Sequence, residues 1–301
     1  MQDYISRYET DIYRYSNQYI RFKKQQWNAL QTEKENDNQP IRLELDEVEE
    51  KEVKNSFWNS LRRKKEKEVV VDTEQQSDSG ELKVDYNFII NNSLTSQDEK
   101  QLFLDALLPY QLRWASSTIK EKSFLDQQFK KDSLLKYFLQ RFPDTYFLMY
   151  KPIFLAKQAP IQLENIFITP MEILCITVVE EGEEYVYLGD NGRFWTIRGG
   201  GTEKKLINPQ ISLTRMARVV QNIVEHYKIE IPIKKIVLCE TGYIDFPDNP
   251  FDIMLVDKRT YKDWFEDMRK NTMGLKHSQL KVASKLLQHC QSTFVDRPEW
   301  K

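Results

Sequence analysis

QLENIFITPMEILCITVVEEGEEYVYLGDNGRFWTIRGGGTEKKLIN, residues 162–208, decides how the rest of the chain is read. Four runs in it have the length and the apolar or β-branched content of strands: QLENIFIT (162–169), MEILCITVV (171–179), EYVYL (184–188) and RFWTIR (193–198). Asn208-Pro209 then opens a helix, because Asn caps a first turn and proline is tolerated at the first helical position. Strand runs feeding a helix predict a small α/β core with a mixed sheet.

Working outward, LLKYFLQRFP (134–143) ends a helix ahead of the stretch, and YFLMYKPIFL (146–155) is an apolar run between the two. Downstream, ISLTRMARVVQNIVEHY (211–227) spaces Leu213, Met216, Val220 and Ile223 as one helical face. IKKIVLCE (233–240) reads as a buried strand and FDIMLV (251–256) as a shorter one, and alternation of helix and buried strand puts helices on a mixed sheet. KRTYKDWFEDMRK (258–270) and LKHSQLKVASKLLQHC (275–290) close the chain as helices.

Spacing adds a chemical question. An acid, Glu164, lies on one strand-like run, and the next run reaches Thr177 and Val179 about a dozen residues later. Metal-dependent nucleases place Asp and then Glu-x-Lys at such positions. Carboxylates on neighbouring strands hold Mg²⁺ with its waters, and a Lys two residues along points to the same face and orients the attacking water.

The succession of a helix, an apolar run, the acid-bearing run, a long hydrophobic strand, Trp195 and Asn208-Pro209 resembles the nuclease-related domain family. That resemblance covers roughly residues 120–260 and implies a restriction-endonuclease-like core of the PD-(D/E)xK type. It implies Glu164 as the surviving acid, and it departs from the family where Glu and Lys are replaced by Thr177 and Val179 and where Gln is replaced by Ser212. The family's Gly-Glu near the start of its first helix has no counterpart around Lys131-Asp132. A hydroxyl and an isopropyl group cannot replace a carboxylate and an ammonium, so the expectation is a degenerate catalytic motif with neither metal nor other cofactor.

Length and charge bound the remainder. At 301 residues and 36.0 kDa the chain holds one core of ordinary size plus appendages. A net charge of −2 gives no global attraction for nucleic acid, so such binding needs a local basic patch. Arg193, Arg198, Lys204, Lys205, Arg215 and Arg218 supply one beside the former active site. Cys175, Cys239 and Cys290 lack metal-ligand spacing and suit reduced thiols, and no run approaches a transmembrane span; a soluble, cytoplasmic protein is expected.

The domain reading runs as follows. Residues 1–30 form an amphipathic, coiled-coil-like helix whose stripe of Ile5, Tyr8, Ile12, Tyr15, Tyr19 and Phe22 needs covering, by this chain, by self-association or by a protein partner. Residues 31–81 have the acidic, polar composition of a disordered linker, with SFWNSLRRKKEKEVV (56–70) inside it as a solvated charge run or a membrane or nucleic-acid contact. Residues 82–130 hold a strand (82–90) and a helical hairpin whose first helix starts at Ser96 and stops at Pro109, its second covering 110–129. Residues 131–260 are the α/β core and 261–301 the closing helices.

Other chemistries lack their motifs. Gly199-Gly200-Gly201 has no phosphate-loop context, and His226, His277 and His289 have no third ligand at metal spacing. Two function classes result: a catalytically degenerate scaffold that binds protein or nucleic acid, or a divergent Mg²⁺ nuclease using Glu164 with Glu180 or Glu181 and a displaced Lys204.

Overall fold

A strand covered on both faces has to be apolar at successive positions, and ILCITV is. In the computed structural model it is the central strand, with Ile173, Leu174, Cys175 and Ile176 all fully buried. The structure describes residues 2–37, 96–116, 121–156, 159–248, 251–270, 273–291 and 294–296. The strand expected at 82–90, most of the 31–81 linker and the basic run 56–70 lie outside the described residues.

In chain order the elements are α1 (Gln2–Asp37), α2 (Ser96–Ala115), β1 (Glu121–Lys122), α3 (Gln127–Lys131), α4 (Ser133–Arg141), β2 (Phe147–Met149), β3 (Ile153–Ala156) and β4 (Ala159–Gln162). They continue with β5 (Asn165–Ile168), β6 (Ile173–Val178), β7 (Val186–Leu188), β8 (Phe194–Gly199), β9 (Thr202–Ile207), α5 (Pro209–His226) and β10 (Ile233–Leu238). The last are β11 (Tyr243–Asp245), β12 (Ile253–Val256), α6 (Tyr261–Lys270), α7 (His277–Gln288) and β13 (Val295–Asp296). The chain divides into two compact units, Met1–Lys24 with Leu107–Lys301, and Gln25–Ala106.

Within the first unit a five-stranded mixed sheet runs β12-β10-β6-β5-β2, with β6, β10 and β12 parallel and β5 antiparallel to both β6 and β2. Alternate side chains divide between two cores, as the strand period requires. Ile173 and Cys175 meet Leu213, Met216 and Val220 of α5 and Val282 and Leu286 of α7. Leu174 and Ile176 meet Phe138 of α4 and the rings of Tyr261, Trp264 and Phe265 from α6. Helices therefore cover both faces of the sheet. A second sheet, β11-β7-β8-β9, contributes Tyr187, Trp195 and Ile197 to the α5 side of the core. Within this sheet Gly242 lets the start of β11 lie close to the start of β7, since a Cβ there would stand 2.6 Å from the Tyr185 carbonyl oxygen.

In the second unit Trp27 meets Phe103 edge-on at 4.9 Å, Leu30 is fully buried, and Lys34 pairs with Glu99 at 2.9 Å. Burial raises the Glu99 carboxyl, but hydrogen bonds from Lys34 and Gln31 more than reverse this and hold it below the usual range.

Three boundaries differ from the sequence reading. The first helix passes position 30 and ends at Asp37, taking seven positions from the expected linker. The helical hairpin of 96–129 is replaced by one helix that continues through Pro109 to Ala115, then a turn, β1 and the short α3. A proline inside a helix costs about 3 kcal/mol. Burial of Leu107, Leu108 and Leu112 around it offsets that. A third boundary lies beyond the expected strand runs, since the polar TEKKLI is β9.

Candidate functional site

Glu164 sits in the two-residue connection between β4 and β5, half-buried. The paired register Asn165↔Ile176, extended by one, sets Glu164 opposite Thr177. Thr177 is 6% exposed, and its Oγ1 lies 3.3 Å from Ser212 Oγ, which donates to the Pro209 carbonyl at 2.9 Å. Three of the four positions implied by the resemblance are thus brought together at the start of α5. Val179 is not: it is buried in the core with Ile173 and Cys175.

The start of α5 is held by the motif that carried the resemblance. Asn208 Oδ1 accepts from the Gln210 N–H at 3.0 Å, and its Nδ2 donates to the carbonyls of Asp190 at 3.1 Å and Gly192 at 2.7 Å. Trp195 Nε1 donates to that same Asp190 carbonyl at 3.1 Å. Asn208 and Trp195 therefore lock one turn, and the turn fixes where Ser212 and Arg215 project.

Lys151, Gln162, Leu163, Glu164, Ser212 and Arg215 line a hollow of about 370 Å³. Burial pushes the Glu164 carboxyl up from its ordinary range, and Lys151 and Arg215 draw it back only in part. Lys151 holds a left-handed backbone, φ 46°, which a non-glycine residue adopts at a cost of about 1 kcal/mol or more. Its ammonium lies 4.8 Å over the Tyr150 ring and 3.6 Å from Asp132 Oδ2. Tyr150 donates its hydroxyl to the same oxygen at 2.7 Å, and Asp132 Oδ1 caps α4 through the N–H groups of Leu134 and Leu135. Burial raises the Asp132 carboxyl, but these hydrogen bonds and Lys151 more than reverse it.

Magnesium needs a hard oxygen shell with one or two free carboxylates. Glu164 is the one carboxylate lining the hollow among the described residues, and two cations flank it. Asp132 is already engaged as a helix cap and by Tyr150 and Lys151. Among the described residues no three His, Cys, Asp or Glu side chains gather to hold a metal ion. The residues present do not fit Mg²⁺.

The alternative catalytic set is scattered. Glu180 accepts from Thr241 Oγ1 at 2.7 Å and Glu181 from Lys204 at 2.9 Å, and none of the three lines the hollow. The six basic residues also divide. Arg215 lines the hollow and Arg218 follows it by one turn of α5, whereas Arg193, Arg198, Lys204 and Lys205 belong to the β8–β9 ribbon or its edge. There Arg198 pairs with Glu203 at 3.0 Å, Arg193 lies over the Phe194 ring, and Lys204 and Lys205 alternate faces.

The stripe of α1 is covered by its own unit at three positions. Ile12 packs against the core, Tyr19 meets Trp114 at 6.2 Å, and Phe22 lies beside Tyr110 and Trp114. Arg14 stands over the Tyr15 ring, and the side chains of Ile5 and Tyr8 lie outside the described residues. Cys175, Cys239 and Cys290 are free thiols that burial raises to about 12, 11 and 12. No described helix is long and apolar enough to cross a membrane.

Lys151 was missed in the sequence. Its signal is the polar Lys-Pro step that breaks the apolar run of 146–155. Compared with known proteins, the chain matches no family model, no curated protein and no solved structure.

Proposed function

We propose that the α/β core is a nuclease-related, restriction-endonuclease-like scaffold that has lost hydrolysis and binds the phosphate backbone of nucleic acid without cutting it. One observation carries this reading: Glu164 shares its hollow with the Ser212 hydroxyl instead of a second carboxylate, and Lys151 and Arg215 flank it. Fixed cations at a hollow lined by hydroxyl and amide groups suit a phosphodiester, which they contact without sequence preference. The order α4, β2, Glu164 with β5, β6 and the Asn-Pro start of α5 supports the scaffold assignment. Association with a protein partner or a second copy belongs to the same scaffold reading, through surfaces of α1 other than Ile12, Tyr19 and Phe22.

Fluorescence anisotropy with labelled single- and double-stranded oligonucleotides tests it. Binding is expected in EDTA, weakening with salt, and Arg215→Ala or Lys151→Ala weakens it about tenfold. Absence of binding at low ionic strength, or divalent-dependent cleavage lost in Glu164→Ala, overturns it.

A further inference from the structure

β9 ends the second sheet, and among the described residues no strand pairs with its outer side. Its ladder with β8 runs unbroken from Gly199↔Thr202 to Phe194↔Ile207, and all of β9 except Leu206 is exposed. Native edge strands carry bulges, prolines or lysines against pairing with another chain. β9 has neither bulge nor proline, so Lys204 and Lys205 are what guards it. Lys204 donates to Glu181 of its own chain at 2.9 Å. Lys205 lies on the other face with Glu203 and Ile207, and among the described residues it has no carboxylate partner.

The ordinary explanation for edge lysines is that they keep the edge free. Whether they do so against a second copy depends on register. Two copies related by a two-fold axis perpendicular to the sheet pair β9 with itself, antiparallel, and residues directly opposite each other share a face. The registers that keep most of the strand paired are centred on Lys204 or on Lys205. Centred on Lys205, the strand sets one free ammonium against the other, which is destabilising. Centred on Lys204, it sets Glu203 opposite the partner's Lys205, and Lys205 opposite the partner's Glu203. Arg198, 3.0 Å from Glu203 on the β8 side, then completes a row of alternating charge across the joined sheet. The two Lys204 side chains fall on the other face, each held by its own Glu181. Ile207, exposed beside Phe194, comes opposite the partner's Gly201, around which there is open space.

We infer that β9 is a self-recognition edge, through which two copies of this chain join as antiparallel strands centred on Lys204, with Glu203 and Lys205 pairing across the two-fold. The strand edge supplies main-chain hydrogen bonds and the charge pattern fixes the register. One strand edge is a small interface, so the dimer is weak, with a Kd on the order of 10 μM or above. The surface is separate from α1 and from the Glu164 hollow and does not depend on the function proposed for that hollow.

Sedimentation equilibrium of the full chain, over concentrations that bracket this Kd, tests the inference. A monomer–dimer equilibrium is expected. Glu203→Lys and Lys205→Glu each set like charges opposite each other at both cross-strand pairs and weaken the dimer about tenfold. Mixing the two single variants restores association, because Lys then opposes Glu at both pairs. Both residues are exposed, so each variant should melt as the parent does. A dimer indifferent to both changes, or single variants that stay apart when mixed, overturns the edge. A chain that is monomeric throughout also overturns it: β9 amides protected from hydrogen exchange in that monomer would assign the edge to another segment of the same chain, and freely exchanging ones would leave it to a different protein.

Discussion

Glu164 is charged only at a cost. Burial opposes its ionisation more strongly than Lys151 and Arg215 favour it, so its folded pKa lies above the ordinary 4.5. A raised folded pKa makes the carboxyl's contribution most favourable below the unfolded value and less so as pH rises through the folded one. Glu164→Gln is therefore expected to raise the melting temperature at neutral pH, and the gain should vanish below about pH 4.5, which a pH series of melts on both proteins reads directly. The neighbouring positions behave differently. Val179 is 5% exposed in the core, so Val179→Lys buries an unpaired ammonium and should cost on the order of 3 kcal/mol in denaturant unfolding. Placing Glu at 177 and Lys at 179 is thus expected to unfold the core before it creates a metal site. The packing around position 179 therefore has no room for a charged side chain.

At the scale of elements, the turn at 190–192 is where the β7–β8 ribbon is tied to the start of α5. Asn208→Ala removes the cap of α5 and both donors to that turn, an expected loss of about 2–3 kcal/mol. Asn208→Asp keeps the cap oxygen and loses the amide donors, so it should fall between the two in urea melts. Much of this framework is legible in the sequence, because β6 and the second half of β10 are apolar runs and α5 and α7 have an apolar stripe at helical spacing. The Asn-Pro start of α5 is legible for the same local reason. What was not legible depends on distant partners. TEKKLI has no apolar pattern and forms β9 because its backbone pairs along β8 and Leu206 lies opposite Trp195. Pro109 is a stop signal overridden by Leu108 and Leu112, which pack against Leu135 and residues up to Tyr150. Of the candidate site, Glu164 and Ser212 were visible as motif positions. Lys151 was not, because its place follows from a left-handed residue between β2 and β3.

For the whole molecule, the net charge of −2 sets how any polyanion must be bound. Long-range attraction is weak, so binding depends on a few local cations and is screened by salt. Arg198 and Lys204 already share their charge with Glu203 and Glu181 in exposed pairs. Arg215 lines the hollow with the Ser212 hydroxyl and the Gln162 amide, and Arg218 follows on the same helix. Each phosphate contact contributes roughly 0.7 to 0.9 to the slope of log affinity against log salt. Arg215→Ala should therefore lower that slope by about one contact and weaken binding about equally for unrelated sequences. Arg198→Ala, which leaves an unpaired Glu203 on the ribbon, should move the slope by less than half as much. Anisotropy titrations of both variants over a salt series separate the two surfaces. An equal loss from Arg198 and Arg215 would place the contact on the β8–β9 ribbon and leave the hollow without a nucleic-acid role.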